Sequence, residues 1–220
     1  GILLSFYIEE LRIERKNIKQ KNEILIDLKY TAEDDLKQII LIESILLNTI
    51  ESVEVLLNDI KNKHENLTDK EVMEHIFNIE VATSFIPKDG IYNELIYTGS
   101  FELIKNRKLK STLLEVYNHL KERNNTVSRI IDDDTQDFYN DYRREFKLTI
   151  DRSETENQEI YGQLMVEEFE FNLDYFLSGA LIGELTTAEF YSRNYLSLLN
   201  TTKNSYHQLI VLLDEELAGI

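Results

Sequence analysis

Residues 11–60 read LRIERKNIKQ KNEILIDLKY TAEDDLKQII LIESILLNTI ESVEVLLNDI, fifty positions without a glycine or a proline. Leu11, Ile18, Leu25, Ala32, Ile39, Leu46, Val53 and Ile60 recur every seventh residue with no polar interruption. A seam of that period drifts by about 20° per heptad on a straight helix, so it stays against a neighbour only with left-handed supercoiling. The stretch changes character midway. Nine of the 25 positions from 11 to 35 are apolar, against fourteen of 25 from 36 to 60. A narrow stripe suits a stalk with one neighbour, and a wide one demands cover on several sides. The reading is a single helix from Tyr7 to Lys63, about 85 Å long at 1.5 Å per residue, with residues 7–35 as a coiled-coil stalk and 36–220 as a helical bundle.

Breakers outside this stretch are equally sparse. The 220 residues contain seven glycines, one proline (Pro87), no cysteine and no tryptophan. Residues 2–86 and 100–161 lack glycine and proline altogether. A sheet protein of this size needs many tight turns, which draw on those residues, so the expected class is all-α: an elongated antiparallel bundle with a very long N-terminal helix. Forty-one acidic side chains against 24 basic ones leave a net charge of −17. That balance excludes binding to nucleic acid by counterion displacement. The absence of cysteine excludes disulfides, thiol nucleophiles and thiolate metal sites. At 42% hydrophobic residues the chain can bury a core.

Caps place the other helices. Thr68 and Glu71 have capping-box spacing and open a helix over 69–80, followed by a loop through Pro87 to Gly90. A short helix runs from Ile91 to near Gly99, then a turn carries Phe101, Leu103 and Ile104. Asn106 caps a long helix to Ile150, with a seam of Leu109, Leu113, Val116, Leu120, Val127, Ile131, Phe138, Tyr142 and Phe146. Residues 151–160 form a polar loop. Thr186 with Glu189 repeats the capping-box spacing and starts the last helix, to Leu217. Between these, Phe169, Phe171, Leu173 and Tyr175 alternate with polar residues in a strand period. Val166, Phe169, Leu173, Phe176 and Ala180 fit a helical face equally well. A lone strand has no evident partner, which favours helix.

Three segments resemble a known family. Gly1-Ile-Leu-Leu-Ser-Phe6 running into charged residues from Glu9 looks like a membrane helix entering a polar one. Tyr92-Asn-Glu-Leu95, Thr98-Gly99-Ser100, Leu103-Ile-Lys-Asn106 and Lys108-Leu109, with Tyr117-Asn118 beyond, are similar to a central "Leu-x-x-Ser-Gly" turn, "Leu-Ile-x-Asn-x-x-Leu" motif and tyrosine-bearing helix. Thr186-x-x-Glu189-Phe190-x-x-x-Asn194 resembles the entry to a last helix. Together they resemble an uncharacterised family of single-pass membrane-anchored helical proteins from Bacteroidota, with Thr98 standing where serine is commoner. The resemblance implies a transmembrane helix upstream of residue 1, of which residues 1–6 are the end. It also implies anchorage in the inner membrane with the helical domain in the periplasm. The residues add one argument: six apolar residues cannot cross about 30 Å of hydrocarbon, which takes about 20.

Candidate chemistry is thin. Glu71/His75 and Glu115/His119 have i, i+4 spacing that can ligate a metal, but it is also that of an ordinary surface pair. His64 and His207 complete the histidines, and no Glu lies three residues before a His, as a di-iron bundle needs. Asp132, Asp133, Asp134 and Asp137 form the densest acidic run, which lacks the central glycine of a calcium loop and reads as a solvated helix face. Phosphate loops, nucleophile elbows and H-E-x-x-H are missing. Neither catalytic, cofactor nor metal residues are assigned. Aromatic residues such as Phe138, Tyr139, Tyr142, Tyr175, Phe176, Phe190 and Tyr191 read as core, or as a pocket or interface. The expected role is a non-enzymatic, membrane-anchored interaction or scaffold module, pairing with itself through its first helix or with another membrane protein. A basic cluster, Arg12, Arg15, Lys16, Lys19 and Lys21, lies near the presumed bilayer. The alternative is a periplasmic ligand sensor with a tyrosine-lined pocket between helices.

Overall fold

A computed structural model describes residues 2–80, 84–150 and 166–219. The architecture is all-α with one short β ladder. Helix α1 spans Ile2–Lys61 and α2 spans Asp69–Glu80; α3, Gly90–Tyr97, leads into a 3₁₀ turn at Ser100–Leu103. Helix α4, Arg107–Leu114, continues through a π turn at Glu115–Leu120 into α5, Lys121–Glu145. Strands β1, Thr149–Ile150, and β2, Val166–Glu168, are followed by the single turn α6, Leu173–Phe176, and by α7, Gly179–Ala218. The expected loops at 81–83 and 151–160 lie outside the described residues.

The chain divides into two compact units. The first comprises residues 1–40, 85–124 and 199–220. Within it α1 and α7 run antiparallel, since rising numbers on one meet falling numbers on the other: Lys21 bonds Glu216, Lys29 bonds Asp214, and Asp35 accepts from Tyr206. Burial on α1 sets in at Lys21 rather than at residue 36, with Leu25, Leu28 and Ala32 fully inside. The narrow stripe of this half is covered by α7. Ahead of it only Leu11 and Ile18 are half-buried, and the other described side chains from Leu3 to Gln20 are exposed.

The second unit comprises residues 41–84 and 125–198. Its core joins Val53 and Leu56 of α1, Val72, Met73 and Ile76 of α2, Phe138 and Tyr142 of α5 with Phe146 just beyond it, Phe176, and Leu181 and Leu185 of α7. Helices α1 and α2 are antiparallel, with Ser52 facing His75 and Thr49 donating to the Asn78 carbonyl.

Caps explain where several elements begin. The Thr68 hydroxyl accepts from Glu71 N–H at 3.3 Å while the Glu71 carboxylate accepts from Thr68 N–H at 2.8 Å, the reciprocal arrangement its spacing predicts. Asn106 accepts from the N–H groups of Lys108 and Leu109 and starts α4. Gly99, at φ 73°, takes the left-handed turn that ends α3.

Three expectations are corrected. The last helix begins at Gly179, eight residues early: the Ser178 hydroxyl accepts from Leu181 N–H, while Thr186 lies inside the helix and donates back to the Ile182 carbonyl. Glu189, released from any capping box, binds Arg193. Of the segment expected to be helical from Val166, only Leu173–Phe176 and the residues from Gly179 are helix; Val166–Glu168 is a strand, because it does have a partner. Lys147, at φ 45°, follows the end of α5 and turns Thr149-Ile150 into an antiparallel strand against β2, and Glu170 N–H adds a bond to the Phe146 carbonyl. Finally, the seam on α5 places Asn124 and Ser128 inside and leaves Val127 half-buried. Asn124 is satisfied there by donating to the Leu120 carbonyl and the Thr202 hydroxyl.

The two capping-box patterns should therefore separate in denaturant titrations. Thr68→Ala is expected to cost about 1 kcal/mol. Thr186→Ala, at an exposed helix-interior position, is expected to change stability by no more than a few tenths of a kcal/mol.

Candidate functional site

The most chemically distinctive place in the first unit lies where α1 meets α7 beneath the connecting segment Phe85–Asp89. Phe85 and Pro87 are buried, yet the segment has no ladder of its own, so its N–H groups need side-chain acceptors. Ile86 N–H donates to Gln38 at 3.2 Å, and Lys88 N–H donates to both carboxylate oxygens of Asp35, at 3.1 and 3.2 Å. The Tyr206 hydroxyl also donates to Asp35, at 2.9 Å. Asp35 is 1% exposed.

Aromatic rings surround this carboxyl. Tyr92 and Tyr117 stack at 4.7 Å, Tyr206 meets Tyr117 edge-on at 6.4 Å, and Phe85 meets Tyr206 edge-on at 5.9 Å. Such offset and edge-to-face contacts match positive ring edges to negative faces. Tyr117 comes from the π turn of Glu115–Leu120. Hydrogen bonding from i to i+5 packs more residues into one turn, so successive side chains diverge less, and both Val116 and Tyr117 face inward. The Tyr117 hydroxyl is buried and has no hydrogen-bond partner among the described residues. At the segment's end Asp89 is paired with Lys121, which holds its carboxyl below the usual range.

The electrostatics follow from burial. Desolvation raises the Asp35 carboxyl from 3.8 to about 6, and the bonds from Tyr206 and Lys88 only partly oppose it. Burial also pushes the hydroxyls of Tyr117 and Tyr206 up, with the nearby Asp35 charge adding to it. Chemically the cluster is a buried acid that exchanges a proton near pH 6, in a tyrosine shell.

A second acidic anchor stands elsewhere in this unit. Lys21 and Glu216 form a pair with side chains 6% and 7% exposed, and Glu216 also accepts from the N–H groups of Lys105 and Asn106. Burial opposes the charged form of Glu216, but these three donors outweigh it and hold its carboxyl below the usual range. Lys21 is thereby withdrawn from the expected basic cluster, and Arg12 is forked onto Glu9 at 2.7 and 3.1 Å.

The expected candidates are dispersed. Glu71 serves Thr68, while His75 faces Ser52 at 3.2 Å. Glu115 and His119 are exposed on the π turn. Asp132 accepts from the Ser84 hydroxyl and Asp133 is exposed, while the side chains of Asp134 and Asp137 lie outside the described residues. Among the described residues no three His, Asp or Glu side chains converge to hold a metal ion. His207 lines a shallow, open depression of about 470 Å³ with Asn106, Lys108, Gln208, Val211, Leu212 and Glu215.

Two things escaped sequence reading. One is Asp35, although it had a signal: Lys21, Leu28, Asp35, Ile42, Thr49 and Leu56 form a second every-seventh seam, all buried. The other is His64, whose imidazole lies between Asp59 and Asp69. The chain matches no family model, no curated protein and no solved structure.

The raised carboxyl fixes a sign. A group whose folded value, about 6, exceeds its unfolded value, 3.8, contributes stability fully below pH 3.8 and loses it as pH rises through 6. Asp35→Asn should match wild type in unfolding free energy near pH 4 and exceed it at pH 7, by up to about 3 kcal/mol, as denaturant titrations at the two pH values would show.

Proposed function

We propose that the chain is a non-enzymatic, membrane-anchored helical interaction module, with its helices on the periplasmic side of an inner membrane. The observation that carries this reading is the start of α1. Leu3, Leu4, Phe6, Tyr7 and Ile8 are all exposed, Leu3 at 86% and Phe6 at 66%. At about 100° per residue these side chains point around more than half the circumference of the helix. A partner helix covers one face; apolar side chains in so many directions suit a medium that is apolar on every side, such as lipid.

Further features bear on how the chain would meet a membrane. The apolar turns stop at Glu9-Glu10, where a helix would meet headgroups and water. No helix among the described residues is long and apolar enough to cross a membrane. Ile2 to Ile8 rises about 10 Å, enough to enter one leaflet. Lys21 and Arg12 are engaged by Glu216 and Glu9, and the net charge is −17. Attraction to lipid therefore rests on apolar insertion rather than on charge. Placement on the periplasmic side rests on the family resemblance described above. Self-association is assigned to the same stretch, where Ile13 is exposed and the seam residues Leu11 and Ile18 are only half-buried.

Flotation with phosphatidylcholine vesicles tests the membrane reading. The 220-residue chain should rise with the vesicles, and the variant with Leu3, Leu4, Phe6 and Ile8 changed to Ser should stay below; equal partition of the two would overturn it. Light scattering on eluted fractions tests self-association. A dimer that Leu11→Glu with Ile18→Glu converts to monomer is expected, and a monomer at every concentration would remove that part.

A further inference from the structure

The strongest unassigned cluster lies in the second unit, at the turn between α1 and α2. Lys63 and His64 both adopt left-handed backbone, at φ 58° and 63°, a conformation that costs residues with a β-carbon roughly 1–2 kcal/mol each. The chain still closes α1 this way, with Lys63 N–H on the Ile60 carbonyl and His64 N–H on the Asp59 carbonyl, at 3.0 and 2.9 Å. The result is a specific position for the imidazole. Its Nδ1 lies 2.7 Å from Asp59 Oδ2 and its Nε2 lies 2.9 Å from Asp69 Oδ1. Ionised carboxylates only accept, so bonding both of them at once requires hydrogen on both ring nitrogens, which is the imidazolium form.

Each neighbour has its own part in the cluster. Asp59, fully buried, also accepts from the N–H groups of Asn66 and Leu67 and so shapes the whole turn. Asp69 is the exposed first residue of α2. From the segment after β2, Phe171 stacks on the imidazole at 4.9 Å and Phe176 meets it edge-on at 5.2 Å. The other acids nearby are occupied: Glu71 by Thr68 and Glu170 by Lys147. Asp59 and Asp69 are thus the charged groups that face the ring.

We propose that His64 is a proton-operated latch: as an imidazolium it ties the end of α1 to the start of α2 and seats Phe171, and loss of its proton frees Asp69 and unseats that aromatic segment. A neutral imidazole donates through one nitrogen only, so its other lone pair would face a carboxylate. Asp69, the exposed partner, is the one that lets go. Burial of the ring works against the cation, but the bonds to Asp59 and Asp69 outweigh it and move His64 above its ordinary 6.5. A base raised by folding contributes stability fully below its unfolded value and loses it as pH rises through the folded one. The latch is therefore closed on the acid side of the raised His64 midpoint, as long as Asp59 and Asp69 are ionised, and opens on the alkaline side.

Histidine ¹H–¹³C spectra of the full chain across pH test this directly, with the His64 signal assigned by its loss in His64→Gln. The wild-type midpoint should lie above 6.5, and Asp69→Asn should lower it by about half a unit or more. Amide exchange at Phe171, corrected for its intrinsic pH dependence, should accelerate through that midpoint in wild type and show no such step in His64→Gln. If His64→Gln does not fold, assignment by elimination with His75→Gln, His119→Gln and His207→Gln keeps the test intact, and Asp69→Asn supplies the comparison. A wild-type midpoint at or below 6.5, a midpoint indifferent to Asp69→Asn, or exchange at Phe171 without a step would each overturn the latch.

Discussion

Backbone N–H groups in connecting segments must find acceptors, and this chain meets that need with buried carboxylates. Asp35 accepts from Lys88, Asp59 from Asn66 and Leu67, and Glu216 from Lys105 and Asn106. Each acid sits on a long helix, α1 or α7, and reaches a segment that has no ladder of its own. Chains rich in glycine and proline make turns that satisfy themselves through local geometry. Here those residues are scarce, and the connections are instead held from outside by side chains. An unpaired buried N–H costs about 1–3 kcal/mol, so these acids decide whether the loops can lie against their units.

Charge-assisted acceptance also explains why polar residues are tolerated on the inner face of α1. Lys21 and Asp35 occupy seam positions where leucine would be expected, and each has partners that meet its hydrogen-bonding demand: Glu216 for Lys21, and Tyr206 with Lys88 for Asp35. Asp59 lies on the same helix, where His64 adds a cation to two backbone donors. Polar groups inside a core are costly when half-satisfied and specific when complete. A one-turn slip of α1 past α7 would leave Lys21 or Asp35 without these partners, so the pairs fix register where repeated leucines and isoleucines would allow several.

The parts of the fold that were legible in the sequence were those decided locally. The α2 cap at Thr68 and the α4 cap at Asn106 depend on residues two or three positions apart, and both stand where spacing placed them. The features that escaped depend on distant partners. Thr186 and Glu189 have cap spacing, but the favourable helix from Gly179 already runs through them. Thr149-Ile150 could be recognised as a strand only together with Val166–Glu168, and neither segment is long enough to announce itself. Among 41 acidic residues nothing local distinguishes Asp35, Asp59 and Glu216 from the others. Only the register of Asp35 within a buried seam sets it apart.

The π turn at Glu115–Leu120 has a consequence for how the chain can change length. A wider turn within an otherwise regular helix takes up one surplus residue without interrupting the rod or moving its ends. Deleting a residue there would restore the ordinary α ladder and leave α5 where it is, at the cost of the adjacent inward pair Val116 and Tyr117, only one of which an α turn would keep on the inner face. Insertions and deletions are usually sought in loops. In this chain an unbroken helix contains such a position, and it lies directly under the buried tyrosines.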